Sequence, residues 1–224
     1  MKSVGEPTTL VEDIENPSYM AYDFKHGCLF VCNREQILKY HIHIDEDAGS
    51  LSVDKEVVVL VDKIACQGVA VDNFGNLYFS DQSFNQILKM NRKEIHSHKY
   101  NDTLGAWEDG HETPDHYTSP PYHVKYSEKL SEGTVVKPVA VHIEREYLYW
   151  SNGNYDPLYN KQSTSIHKAF TEPFVQPIPF QSYMVTDVWK ALSIATNPHY
   201  MFFTGNLHFD DSGHTTTYEE DVFV

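Results

Sequence analysis

The residues with chemistry to offer fall into three groups: side-chain oxygens at the ends of short apolar runs, a histidine-rich stretch, and three cysteines. The oxygen donors are Glu15, Asn16, Asn33, Gln67, Asp81, Asn152, Asn154, Asp156 and Asp210, with the cation Lys137 among them. Ca2+ takes about six to eight oxygen ligands, so a convergent set of this kind suits Ca2+ or another divalent cation. The competing reading is local. Asp and Asn favour turns because their side chains bond the nearby backbone. That reading accounts for Asp81 with Asn85 and for Asn152-Gly153-Asn154. Asp156 and Asp210-Asp211 fit no turn of a repeat, and so carry more weight as ligands.

Residues 93–134 hold His96, His98, His111, His116 and His123, together with Asp102, Asp109 and Asp115. Three such groups converging would bind zinc, but no tight H-x3-H or C-x2-C spacing is present. Gly105, Gly110, Pro114, Pro120 and Pro121 mark an irregular surface loop instead. Long loops on a rigid scaffold are where partners bind, and Trp107, Tyr117 and Tyr122 are the candidate interface anchors. No G-x-S-x-G elbow, H-E-x-x-H or phosphate loop occurs. Cys28 and Cys32 lie about 13 Å apart along a strand, too far for a disulfide. With an odd number of cysteines and no apolar leader after Met1, the sequence points to a reducing, cytoplasmic setting. Cys32 and Cys66 then read as buried rather than catalytic.

The elements that must position these side chains repeat. Tyr19-Met20-Ala21-Tyr22-Asp23 precedes Leu29-Phe30-Val31-Cys32-Asn33, and Gly68-Val69-Ala70-Val71-Asp72 precedes Leu77-Tyr78-Phe79-Ser80-Asp81. Pro138-Val139-Ala140-Val141-His142 precedes Leu148-Tyr149-Trp150-Ser151-Asn152, and Ser193-Ile194-Ala195-Thr196-Asn197 precedes Met201-Phe202-Phe203-Thr204-Gly205. Each pair is two short strands around a polar turn, the second ending on a small residue. Third strands follow at Gln36–Tyr40 and Gln86–Met90. Fourth strands are expected before each unit, at Thr8–Val11 and Val57–Val61, so that the N-terminal strand completes the last blade and closes the ring. Gln181–Leu192 suits a short helix or an outer strand. Four antiparallel strands, repeated, make a β-propeller blade. The fold class is therefore all-β: one propeller domain over residues 1–224, interrupted at about 93–134. About four units are visible, as a four-bladed ring or as part of a six-bladed one. A partial ring leaves open blade edges at which a homo-oligomer can form.

The second unit, Gly68 to Ile87, resembles an NHL repeat. Leu148-Tyr149-Trp150-Ser151-Asn152 resembles the YWTD repeat of six-bladed receptor propellers, with Ser-Asn for Thr-Asp. Glu15-Asn16-Pro17 followed by Leu29-Phe30-Val31 is similar to the opening blade of the gluconolactonase (senescence-marker) family. That resemblance implies a divalent metal ligated by Glu15, and a metal-dependent hydrolase of lactones or esters. The positions that would carry the family's later ligands hold Gln67, Lys137 and Leu192. The resemblance therefore transfers no catalytic residue beyond Glu15.

In a propeller, the loop entering the inner strand and the turn between the second and third strands share one face, which usually holds the ligand. On it fall Glu15, Asn16, Asn33, Gln67, Asp81, Lys137, Asn152, Asn154, Asp156 and Asp210. A net charge of −15 lacks the basic footprint of a nucleic-acid or anionic-membrane binder. No apolar run reaches the length of a membrane helix. The reading that follows is a non-catalytic module that binds a protein or small ligand on this face and at the 93–134 loop. The alternative is the metal-dependent hydrolase.

Overall fold

The computed structural model describes residues 9–97, 100–101, 106–107, 124–125, 135–153, 155–156, 161–162, 165–171, 188–197, 200–207 and 220–223. Blade 1 contains β1 (Tyr19–Asp23), β2 (Cys28–Cys32) and β3 (Gln36–Asp45). The far half of β3 pairs with β4 (Ser50–Val53), and the near half with β5 (Val58–Asp62). Blade 2 contains β6 (Val69–Val71), β7 (Leu77–Asp81) and β8 (Gln86–Met90). A short helix α1 (Arg92–Ser97) and a two-stranded pair, β9 (Tyr100–Asn101) with β10 (Ala106–Trp107), follow. β11 (Val124–Lys125) then returns to pair with β8. Blade 3 shows β12 (Pro138–Glu144), β13 (Tyr147–Asn152), the small pair β14 (Tyr155–Asp156) and β15 (Lys161–Gln162), and β16 (Ile166–Phe170). Blade 4 shows β17 (Val188–Thr196), β18 (Met201–Leu207) and β19 (Glu220–Phe223).

Side chains alternate across a strand, so each sheet sorts its apolar residues onto two faces. Cys28, Phe30, Cys32 and Ile37 of blade 1 meet Val69, Leu77, Phe79 and Met90 of blade 2. On the other side of blade 2, Ala70, Tyr78 and Ile87 meet Val141, Leu148 and Trp150 of blade 3. Ala140, Ile166 and Tyr149 then meet Ala191, Ile194 and Phe203 of blade 4. The inner strands β1, β6, β12 and β17 pack in that order. A Tyr19–Ser193 hydrogen bond of 3.1 Å joins the first and fourth inner strands. The arrangement is an arc of blades, a partial propeller, and the four-bladed closed ring is set aside.

The close approach of neighbouring blades explains Gly68. A Cβ there would stand 2.2 Å from the Val139 carbonyl oxygen and 2.7 Å from the Val141 nitrogen. No side chain fits between these backbones.

Three expectations are corrected. Val57–Val61 supplies the outer strand of blade 1, because β5 pairs with β3 in the register Leu38↔Val59; the fourth strand follows its unit rather than preceding it. Residues 9–14 form no strand; Val11 and Ile14 pack on the outward face of blade 1. The described parts of 93–134 are not all loop. Ile95 is fully buried in the core between blades 1 and 2, its carbonyl accepts from Lys39 Nζ at 3.0 Å, and β11 gives blade 2 its outer strand. Of Gln181–Leu192, residues 188–192 are strand, and the rest lies outside the described residues.

Candidate binding face

The turns between second and third strands are built from the polar residues that the repeat places there. Asn33 Oδ1 accepts the backbone N–H of Glu35 at 3.3 Å and of Gln36 at 2.8 Å. This supports Arg34 in the left-handed region, at φ 75°. Asp81 is buried; Oδ1 accepts from Ser83 N at 3.0 Å and Oδ2 from Gln86 Nε2 at 3.1 Å. Asn85, at φ 52°, turns its Oδ1 to the Lys137 N–H at 2.8 Å. Gln82 Nε2 donates to the Pro138 carbonyl at 3.3 Å. The blade 2 turn is thereby stitched to the connector entering blade 3. Asn152 is also buried, and its Oδ1 accepts from Val136 N at 2.9 Å.

The small residue closing each second strand has a repeated task. Ser80 Oγ accepts the N–H groups of Gln67 and Gly68 at 3.1 and 2.9 Å. Ser151 Oγ accepts from Ala140 N at 3.0 Å and donates across the blade boundary to the Ala191 carbonyl at 2.7 Å. Cys32 occupies this position in blade 1, and it reaches the next blade covalently, in a disulfide with Cys66. The sequence expectation of unpaired cysteines is corrected. The pairing needs Cys66 brought beside Cys32 by blade adjacency, which no spacing along the chain reveals. A buried disulfide also runs against a reducing, cytoplasmic setting. Cys28 stays a free thiol. Burial raises its pKa, and Sγ donates to the His26 carbonyl at 3.4 Å, so it has little thiolate character.

The predicted ligands therefore meet different fates. Asn33 and Asp81 have oxygens already engaged by their turns, and Asn152 Oδ1 by Val136 N of the segment entering blade 3. Gln67 lies part-buried, with its N–H on Ser80 Oγ. Lys137 is exposed at φ 46°, and Glu15 and Asn16 are exposed on the entering segment. Asn154, Asp210, Tyr117 and Tyr122 lie outside the described residues; of Asp156 and Trp107 only the strand positions are described. Among the described residues no three His, Cys, Asp or Glu side chains converge as a metal cage. Of the proposed metal ligands Glu15, Asn154 and Asp156, only Glu15 has its side chain among the described residues.

Sequence reasoning missed one cluster. Asn152 Nδ2 lies 3.2 Å from Ser165 Oγ and 3.1 Å from His167 Nε2, and Ser165 Oγ is hydrogen-bonded to the same ring nitrogen. The His167 ring stacks on Trp150 at 5.3 Å between centroids and 13° between planes. Burial lowers its pKa, which keeps the imidazole neutral near neutral pH. The alternation of Ser165 and His167 at the start of an apolar strand was the available signal. A neutral His bonded to Ser resembles the first half of a nucleophile relay. Among the described residues Nδ1 is buried without a partner, so none of them supplies the third group that would orient the ring. The cluster acts as a polar latch for blade 3. His142 is a second part-buried imidazole with a lowered pKa, again from burial, and its Nε2 accepts from Thr196 N of blade 4 at 3.2 Å.

No family model matches the sequence, and no curated protein does. Solved structures match the fold. A chain of a nidogen/laminin complex superposes with a TM-score of 0.53 at 11% identity, over 86% of this chain and 58% of that one. The chain forms part of a β-propeller. A Trichoderma reesei carbohydrate-active enzyme of family AA12 matches at TM-score 0.56 and 15% identity, over 88% of this chain and 47% of that one. A gluconolactonase of Xanthomonas campestris matches at 0.50 and 13%, over 94% and 60%. These are six-bladed propellers, and this chain spans about half to three-fifths of their length. The NHL/YWTD resemblance of the repeats is consistent with that fold. The same fold carries binding modules and enzymes, so the likeness concerns architecture and not activity.

Proposed function

We propose that the chain is a non-catalytic interaction module, binding a protein or small ligand on the propeller face and at the 93–134 insertion. The observation that carries the reading is the engagement of the face's polar side chains. Asn33, Asp81, Asn85 and Asn152 spend their oxygens on turn and inter-blade hydrogen bonds, which makes the face a rigid platform. The insertion is anchored to that platform at both ends, by Ile95 in the core and by β11 on β8. Its aromatics Trp107, Tyr117 and Tyr122 are the proposed anchors. The nidogen/laminin neighbour adds a precedent for this fold in a protein complex.

The test is a set of variants that leaves Ile95 and β11 in place: Trp107→Ala, Tyr122→Ala, and deletion of 108–121. Each is expected to weaken capture of a cross-linked partner while leaving the melting temperature within a few degrees of wild type. Unchanged capture after the deletion would refute the reading. The second reading, a divalent-metal hydrolase of lactones or esters, draws on the fold shared with the gluconolactonase and on Glu15. It requires ligands beyond the described residues.

A further inference from the structure

Blade 4 meets blade 3 through an apolar core with a polar contact at each end. Ala140, Ile166, Ala191, Ile194 and Phe203 are buried there, with Tyr149 and Met201 packed against them. At one end Ser151 Oγ donates to the Ala191 carbonyl at 2.7 Å. At the other, His142 of β12 meets Thr196, the last residue of β17. By alternation His142 shares a strand face with Ala140, so it is turned toward blade 4. Its Nε2 lies 3.2 Å from Thr196 N and 3.0 Å from Thr196 Oγ1. A backbone N–H can only donate, so Nε2 holds no proton, and the neutral ring carries its proton on Nδ1. The Thr196 hydroxyl can turn and serve in either role; the backbone amide cannot. Among the described residues, the titratable groups on this side are Glu144 on β12, Tyr147 and Tyr149 on β13, and Lys168 on β16, with Tyr149 directly opposite His142. Lys168 Nζ stands over the Tyr147 and Tyr149 rings at 4.4 and 5.9 Å. From β17 the ring meets Thr196, which does not titrate. Burial lowers the His142 pKa, and the Glu144 carboxylate opposes this in part.

We propose that the His142–Thr196 contact is a pH-sensitive catch on the boundary between blades 3 and 4, which opens when the ring is protonated. A proton on Nε2 sets one N–H against another, and the clash is relieved when the end of β17 draws away from β12. Drawing away also admits water to the ring and restores the hydration of the cation. Opening returns His142 toward its ordinary pKa of 6.5, so below that pH the open form takes up a proton that the closed form refuses. The ratio of open to closed molecules therefore rises several-fold, and at most about tenfold, between about pH 7.5 and about pH 5.5. His167 acts elsewhere. It stacks on Trp150, which packs on blade 2, and its partners Asn152 and Ser165 belong to blade 3 itself. The opening bares Ala191, Ile194 and Phe203 and loosens Ser193, to which Tyr19 of blade 1 is bonded. Blade 4 is thus released by acid while the disulfide holds blades 1 and 2 together.

The experiment is amide hydrogen exchange on the full chain by NMR, read as protection factors so that the pH dependence of the exchange chemistry cancels. The Thr196 N–H is expected to lose protection several-fold, and at most about tenfold, between about pH 7.5 and about pH 5.5. His142→Gln keeps an acceptor at the place of Nε2 without titrating, so its Thr196 protection should not change with pH. His167→Gln should leave the wild-type loss intact. Thr196→Val keeps the backbone N–H and removes the hydroxyl, so residue 196 should lose at least as much protection as in wild type. The imidazole nitrogen shifts of His142 should report the proton on Nδ1 at neutral pH. Thr196 protection that ignores pH overturns the proposal, and so does a loss that persists in His142→Gln. A loss abolished by His167→Gln identifies unfolding of the whole domain and overturns it too. A proton on Nε2 at neutral pH, or a loss abolished by Thr196→Val, does the same even where His142→Gln fails to fold.

Discussion

Replacing Cys32 and Cys66 together isolates the one covalent link between blades 1 and 2. The bridge closes a loop with a sequence separation of 34. Loop-closure entropy for that length corresponds to about 3.8 kcal/mol at 25 °C, lost when the bridge is opened. Serine is not a neutral replacement at position 32, because Ser80 and Ser151 at the equivalent positions accept backbone N–H groups. A hydroxyl there recovers about 1 kcal/mol of hydrogen bonding. The Cys32→Ser/Cys66→Ser protein should therefore lose about 3 kcal/mol, and Cys32→Ala/Cys66→Ala closer to the full value. For a chain of this size, about 3 kcal/mol lowers Tm by about 6–12 °C. The assay is urea denaturation of wild type and both variants, with and without reductant, beside thiol titration of the denatured wild type. Only the Cys28 thiol should titrate before reduction and all three after it. Reductant should move the wild type down toward the variants' midpoints and leave the variants unmoved. Three titrating thiols in the unreduced protein, or equal midpoints for wild type and the alanine variant, would refute the reasoning.

Gly68→Ala should destabilise by about 1–3 kcal/mol or more, because its Cβ meets backbone atoms of β12 that cannot turn aside; a denaturation midpoint equal to wild type would contradict the close blade contact. Stability should also fall on acidification. His142 and His167 have pKa values lowered in the fold from the ordinary 6.5, so above that pH both states hold them neutral and neither contributes. As pH falls below 6.5 the unfolded chain takes up protons that the fold refuses, and stability declines until the lowered folded values are passed. Urea midpoints between pH 8 and pH 5 measure this, and His167→Asn should flatten the decline.

The blades were legible in the sequence because each inner pair carries strand-turn-strand signals and a small closing residue. The turn chemistry of Asn33 and Asp81 was legible for the same reason: an Asx side chain bonds the backbone a few residues on, and that requires no knowledge of the rest of the fold; Asn152 instead bonds Val136, sixteen residues back. What was lost depended on neighbours in space. Val57–Val61 reads as a strand from its composition, yet nothing in it says which blade it joins; the register with β3 decides. Cys32 stands in the repeat where blades 2 and 3 have serine, but its partner is fixed by the approach of the segment before β6. The His167 latch is assembled from three residues of two strands, and the anchoring of the insertion through Ile95 and β11 follows from what blades 1 and 2 leave uncovered.

An interaction face of the proposed kind binds without a catalytic metal. This is tested most directly by thermal-shift titration of wild type and Glu15→Gln with Ca2+, Mg2+, Mn2+ and Zn2+, against a chelated control. A site-bound ion at a hundredfold excess over Kd stabilises by about 2.7 kcal/mol. No saturating shift that depends on Glu15 is expected. A saturating shift abolished by Glu15→Gln would contradict it and put the hydrolase first.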